Sequence, residues 1–167
     1  MEENNPYAAP TAVVGDVQAA EVQLAGRGMR LVAVIIDTLI VLVLLIPVML
    51  VGGIFTMLFS GEEPGFGTTL MIGVATFVLF VVVQGYPLNA TGQTWGKKAL
   101  GIKIVDLAGN KPEFGRLIAL RYLTTQVIGM IPFIGVIYGL VNVLFIFGDD
   151  RRCIHDRIAG TRVVMAS

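Results

Sequence analysis

The chain has 167 residues, 55% of them hydrophobic and only 14% charged, with a formal net charge of zero. Soluble domains average about 25% charged residues, so this composition excludes an ordinary soluble domain. A single cysteine, Cys153, excludes an intrachain disulfide and any zinc site built on cysteine pairs.

Residues 1–26 are rich in Ala, Pro, Asn and Val without a helical or strand period. They read as a flexible cytoplasmic tail, with a short helix near Gln18 to Leu24. The opening MEENNPYAAP is acidic and polar, unlike a secretory signal. A membrane domain, 27–167, follows.

Leu31 to Val51 carries one charge, Asp37, and Leu70 to Leu88 carries none. At roughly 1.5 Å per residue, each is long enough to cross a hydrocarbon core of about 30 Å. All twelve Lys and Arg residues lie outside Leu31 to Leu88, while the loop between the spans holds Glu62 and Glu63. Basic residues mark the cytoplasmic side. The N-terminus is therefore expected inside, the 51–69 loop outside, and the return to the cytoplasm near Leu88.

From Asn89 to Pro112 the chain changes character, with four lysines and a scatter of glycines. Gly92 to Lys98 falls one residue short of a phosphate-binding loop, and no Ser or Thr follows its lysine. Ile102 to Asp106 alternates like a strand and is followed by the turn residues Ala108-Gly109-Asn110. Trp95 beside two lysines suits the membrane–water boundary.

Leu117 to Phe147 is apolar apart from Arg121 and has Pro132 near its middle. One straight helix of that length would measure roughly 46 Å, too long for an upright crossing. The tail that follows carries Arg151, Arg152, Arg157 and Arg162. A hairpin broken near Ile131-Pro132-Phe133 returns this basic tail to the cytoplasm. The expected fold is thus an all-α membrane protein with four transmembrane helices, at about 31–51, 70–88, 114–131 and 133–148; three spans are the alternative. Ile102 to Asp106 and Thr161 to Met165 are expected to pair as a small cytoplasmic two-strand ladder.

Asp37 at membrane depth costs about 2.5 to 3.5 kcal/mol on insertion scales, against about 0.3 to 0.6 returned by each neighbouring aliphatic residue. Something specific must meet it. Arg30, Ala33 and Asp37 share one helix face, and Ala33 leaves room for a second element to approach. Gln84, Gln126, Tyr138 and Asn142 are the polar groups within other apolar runs that could bond it. Asp37 is either an ion or proton site or a packing hydrogen bond. His155 beside Asp156 is either a proton relay near neutral pH or an interfacial brace. With one His and one Cys there is no metal constellation, no cofactor is implied, and no nucleophile–base–acid set is visible; an enzyme is not expected.

Arg30, Ala33 and Asp37, then Gly92-Gln93-Thr94 with Gly96-Lys97 and Gly101-Ile102-Lys103, then Arg121, then His155 to Thr161 together resemble the RDD family of bacterial membrane proteins. The name refers to one arginine and two aspartates, which here would be Arg30, Asp37 and Asp156. The resemblance covers Gly26 to Met165, with Trp95 where an aliphatic residue is more usual. It implies a multi-pass protein of the bacterial inner membrane and a transport role with no identified cargo; some members look like sodium/proton antiporters.

Two functional expectations follow. In the first, the chain is a small oligomeric transporter in which Asp37 binds an ion or proton and Arg30 with Asp156 gates it, supported by Arg121, His155, Gln84 and Asn142. In the second, it is an accessory or assembly subunit of a larger membrane complex, with Arg30, Asp37 and Asp156 structural. The expected partners are the lipid bilayer and either further copies of the chain or a larger membrane complex, and no nucleic acid is expected.

Overall fold

The computed structural model describes residues 23–51, 59–61 and 65–166. Most of the tail, PYAAP included, and Glu62 and Glu63 of the first loop lie outside the described residues.

Helix α1 (Arg27–Val51) and helix α2 (Phe66–Thr91) are apolar on nearly every face. Leu31, Val34, Leu42, Val74, Val78 and Val82 are all exposed. A helix that is hydrophobic all round and leaves those side chains bare belongs in lipid. At about 1.5 Å per residue both can span the hydrocarbon core, and among the described residues these two have the length to do so.

Helix α2 ends where Gly92 takes a left-handed conformation (φ 69°) and returns its N–H to Leu88 O, the ending that glycine permits. One turn earlier, Pro87 cannot donate a hydrogen bond, which leaves Val83 O without its helical partner. The indole Nε1 of Trp95 donates to that oxygen at 2.9 Å. Trp95 thus pins the start of a short helix, α3 (Trp95–Ala99), back onto α2.

Strands β1 (Ile102–Asp106) and β2 (Thr161–Met165) pair antiparallel, with Ile104 opposite Val163. The expected ladder is present, and it is wider than expected. Leu24 bridges Val164, and Ala25 N donates to Val163 O while Gln23 O accepts from Met165 N. The described end of the tail is therefore an extended edge on β2, and most of the short helix expected near Gln18 to Leu24 lies outside the described residues. Ala25, Ala33, Leu88, Ile102, Ile104, Leu117 and Val163 form the buried core. It lies at one end of the helices, where the sheet closes over them.

The third apolar region is a continuous helical run: α4 (Phe114–Arg116), a π-helical segment (Leu117–Leu123) and α5 (Thr124–Gly129). Thr124 N bonds Ala119 O five residues back, the signature of an inserted residue. The run breaks at Pro132, with Phe133 at φ 62°, as the proline led one to expect. It then folds back as α6 (Ile134–Leu144) and a 3-10 turn (Phe145–Phe147). The hydroxyls of Thr125 and Tyr138 meet across this hairpin at 3.4 Å. Ile134–Phe147 is short for a crossing, about 21 Å at helical rise. The expected hairpin is thus present after the two full-length helices, and its second arm is shorter than a crossing. A last short helix, α7 (Ile154–Ile158), leads into β2.

Candidate functional site

Asp37 is met by the segment that follows α2. Its Oδ1 accepts the Gly96 N–H at 2.7 Å and the Gln84 amide at 3.0 Å. Its Oδ2 accepts the Thr94 hydroxyl and lies 4.0 Å from Lys97 Nζ. Gln84 uses its other amide atom to accept the Trp95 N–H at 2.9 Å. The carboxylate therefore collects donors at the start of α3, where free amide hydrogens favour negative charge. Gln84 was among the expected partners. Gln126 instead donates to Gly73 O, and Asn142 faces His155.

The close approach has a steric cause. A Cβ at Gly96 would collide with Ala33 O and lie 2.9 Å from Asp37 Oδ1. A small residue on each element lets their backbones touch.

Asp156 anchors a second cluster and is 1% exposed. Arg121 Nη1 donates to its Oδ1 and to Thr161 Oγ1 at 2.8 Å. Arg30 Nη1 is 3.7 Å from Oδ2, and the Cys153 N–H donates to that oxygen at 3.1 Å. Arg30 spends its stronger bonds on backbone oxygens, donating to Val163 O at 2.7 Å and to Arg151 O. Helix α1, the π-helical segment and the C-terminal segment are thereby tied together. Burial works against the charged form of Asp156, but Arg121 and Arg30 outweigh it and hold the carboxyl below its usual range.

His155 braces this cluster. Its Nδ1 faces Asn142 Oδ1 at 3.0 Å, and the same oxygen accepts its backbone N–H at 3.2 Å. Burial, then Arg121, push its pKa down to about 3, so the ring is neutral at physiological pH. Cys153, His155 and Asp156 bring three potential metal-ligand atoms within 4.8 Å of one another. The chemistry is unfavourable to a cation: two guanidiniums occupy Asp156, and burial with the nearby carboxylate holds the Cys153 thiol up in its protonated form.

Between α1, α2 and the hairpin lies a cavity of about 770 Å³. Apolar side chains such as Val41, Leu45 and Phe77 form its walls, and Arg30, Asp37, Lys97, Arg121, His155 and Asp156 gather at one end. Lys97 is 6% exposed, and burial, then Arg121, lower its pKa to about 8. The cation beside Asp37 is thus Lys97 rather than Arg30. Thr94, Gly96 and Lys97 were visible in the sequence as a motif but were not assigned to Asp37; the spacing of Thr94 before a short helix was the available signal.

The family model described as "RDD family" matches residues 24–160. An uncharacterized protein of Haemophilus influenzae is 32% identical over 101 residues, covering 60% of this chain and 62% of that protein. That match spans less than two thirds of the relative's length. The uncharacterized protein YckC of Bacillus subtilis is 29% identical over 144 residues, covering 86% of this chain and 85% of the relative. No solved structure matches the chain.

Proposed function

The chain belongs to the RDD family, and on that premise we propose that it is a small transporter of the bacterial inner membrane in which Asp37 takes up and releases a proton or cation. Both termini lie on the cytoplasmic side, and the chain works as an oligomer. The observation that carries this reading is the position of Asp37 on the wall of a cavity of about 770 Å³ with Lys97 4.0 Å away. That distance is too long for a tight pair, so a proton or cation reaching Asp37 competes with a loosely held ammonium. Arg30 and Asp156 hold the sheet end of the bundle closed around this site. In everted vesicles, Asp37→Asn abolishes cation-dependent proton flux; flux at the wild-type level in that variant removes the reading.

A second reading rests on a specific observation: the Asp156 carboxylate is fully engaged by Arg121, Arg30 and the Cys153 amide, as in a purely structural latch. Here the chain is an accessory subunit, co-purifies with a fixed partner, and gives no flux in purified liposomes.

A further inference from the structure

The cavity is larger than any inorganic cation needs, and its chemistry is divided. At about 770 Å³ it falls in the range of about 300 to 1,000 Å³ typical of organic-ligand sites. One end is charged. The rest is aliphatic and aromatic, and several wall residues (Leu31, Val34 and Leu42 of α1, Val143 and Phe147 of the hairpin) are themselves exposed. The cavity therefore opens sideways between α1 and α6, on a flank that faces lipid.

The charged end is unbalanced. Arg27, Arg30, Lys97 and Arg121 face it against Asp37 and Asp156, four cations to two carboxylates, and His155 is neutral. The arginines are hydrogen-bonded to backbone oxygens or to Asp156. Lys97 is held loosely: its hydrogen bond to Thr94 Oγ1 is 3.5 Å long and its ion pair with Asp37 Oδ2 is 4.0 Å. A buried ammonium has three hydrogens to place, and two such long contacts leave it able to take a closer acceptor.

We propose that the cavity binds a long-chain carboxylate drawn from the bilayer, its acyl chain along the α1–α6 cleft and its head group on Lys97. The lateral opening supplies the route, the excess positive charge selects an anion, and a carboxylate is the head group that accepts from a single ammonium such as Lys97. The volume suits one chain rather than two. The proposal adds an organic ligand on Lys97 to the cavity in which the transport reading places proton or cation exchange at Asp37, and it rests on that reading for its role.

The test is native mass spectrometry of the purified, delipidated chain titrated with oleate, oleyl alcohol or phosphatidylglycerol. One oleate binds per chain, at least about ten-fold more tightly than the alcohol. Lys97→Met weakens oleate by a similar factor and Lys97→Arg restores most of it. Val41→Trp, which fills the cavity away from Lys97, abolishes binding and keeps the proposal testable should Lys97→Met fail to fold. Equal binding of oleate and oleyl alcohol, unchanged binding in Val41→Trp, or displacement of oleate by phosphatidylglycerol overturns it. Oleate binding in a wild type that shows no ion flux removes the transport reading and leaves the ligand class standing. Flux without oleate binding does the reverse.

Discussion

The amide nitrogen of Gly96 sits 2.7 Å from the Asp37 carboxylate, with no room for a side chain between the two elements that carry them. That contact joins the first membrane helix to the short helix after the second. It answers how an acid is kept inside an apolar helix: donors reach it from a neighbouring backbone.

Gly96→Ala should therefore be costly. The added methyl meets Ala33 O, a backbone atom that cannot swing aside. A loss of at least about 2 kcal/mol is expected from such overpacking, read as a lower thermal midpoint in detergent. Gly139→Ala, where nothing lies within 4 Å, is the control and leaves the midpoint unchanged or slightly raised.

The latch around Asp156 has an asymmetry that a charge swap exposes. Asp156→Asn leaves two buried guanidiniums without their carboxylate, at a cost of about 3 to 5 kcal/mol. In an isolated Arg30–Asp156 pair, Arg30→Asp with Asp156→Arg would restore folding. Here it does not, because Arg30 also donates to Val163 O and Arg151 O and Arg121 depends on Asp156. Recovery of wild-type expression and midpoint by the swap would contradict this geometry.

Acid stability should fall through His155. The unfolded ring takes a proton near pH 6.5, whereas the folded ring resists until about 3. Between those values the unfolded state holds more protons, so stability declines as pH drops from 6.5 toward 3. The bound on this effect is about 5 kcal/mol, from about 1.4 kcal/mol per pKa unit. Asp156, also depressed, adds to the loss below the ordinary carboxylate range. Unfolding midpoints across this window check it, and His155→Asn, which keeps a polar group beside Asn142, flattens the upper part of the curve.

Trp95 and Pro87 should be coupled. Trp95→Phe removes the donor to Val83 O, at a cost of about 1 kcal/mol. In a Pro87→Ala background the new backbone N–H can serve that oxygen, so the same change costs less. Equal costs in the two backgrounds would remove the account of this hydrogen bond.

Much of this architecture was legible in the residues, for local reasons. Pro132 breaks the third apolar region because a proline cannot sustain it, and alternation in Ile102 to Asp106 and Thr161 to Met165 sufficed to pair two strands. Gln84 could be named as a partner for Asp37 because few polar groups interrupt the apolar runs. What escaped was nonlocal. Gly96 looks like an ordinary loop glycine until Ala33 is seen against it, and nothing in the composition announces that Gln23 to Ala25 will edge the sheet. The π-helical turn that helps place Arg121 on Asp156 is one inserted residue with no propensity signal. Arg121, expected as a supporting residue, therefore proves to be the principal partner of Asp156.

The claim on which the functional account rests is that Asp37 exchanges its proton or cation rather than being locked by its donors. Infrared difference spectra of the reconstituted chain, recorded on adding sodium or lowering pH, test it directly. A carboxylate band that changes in the wild type and is missing in Asp37→Asn is the predicted result. Identical difference spectra from the two proteins would contradict it.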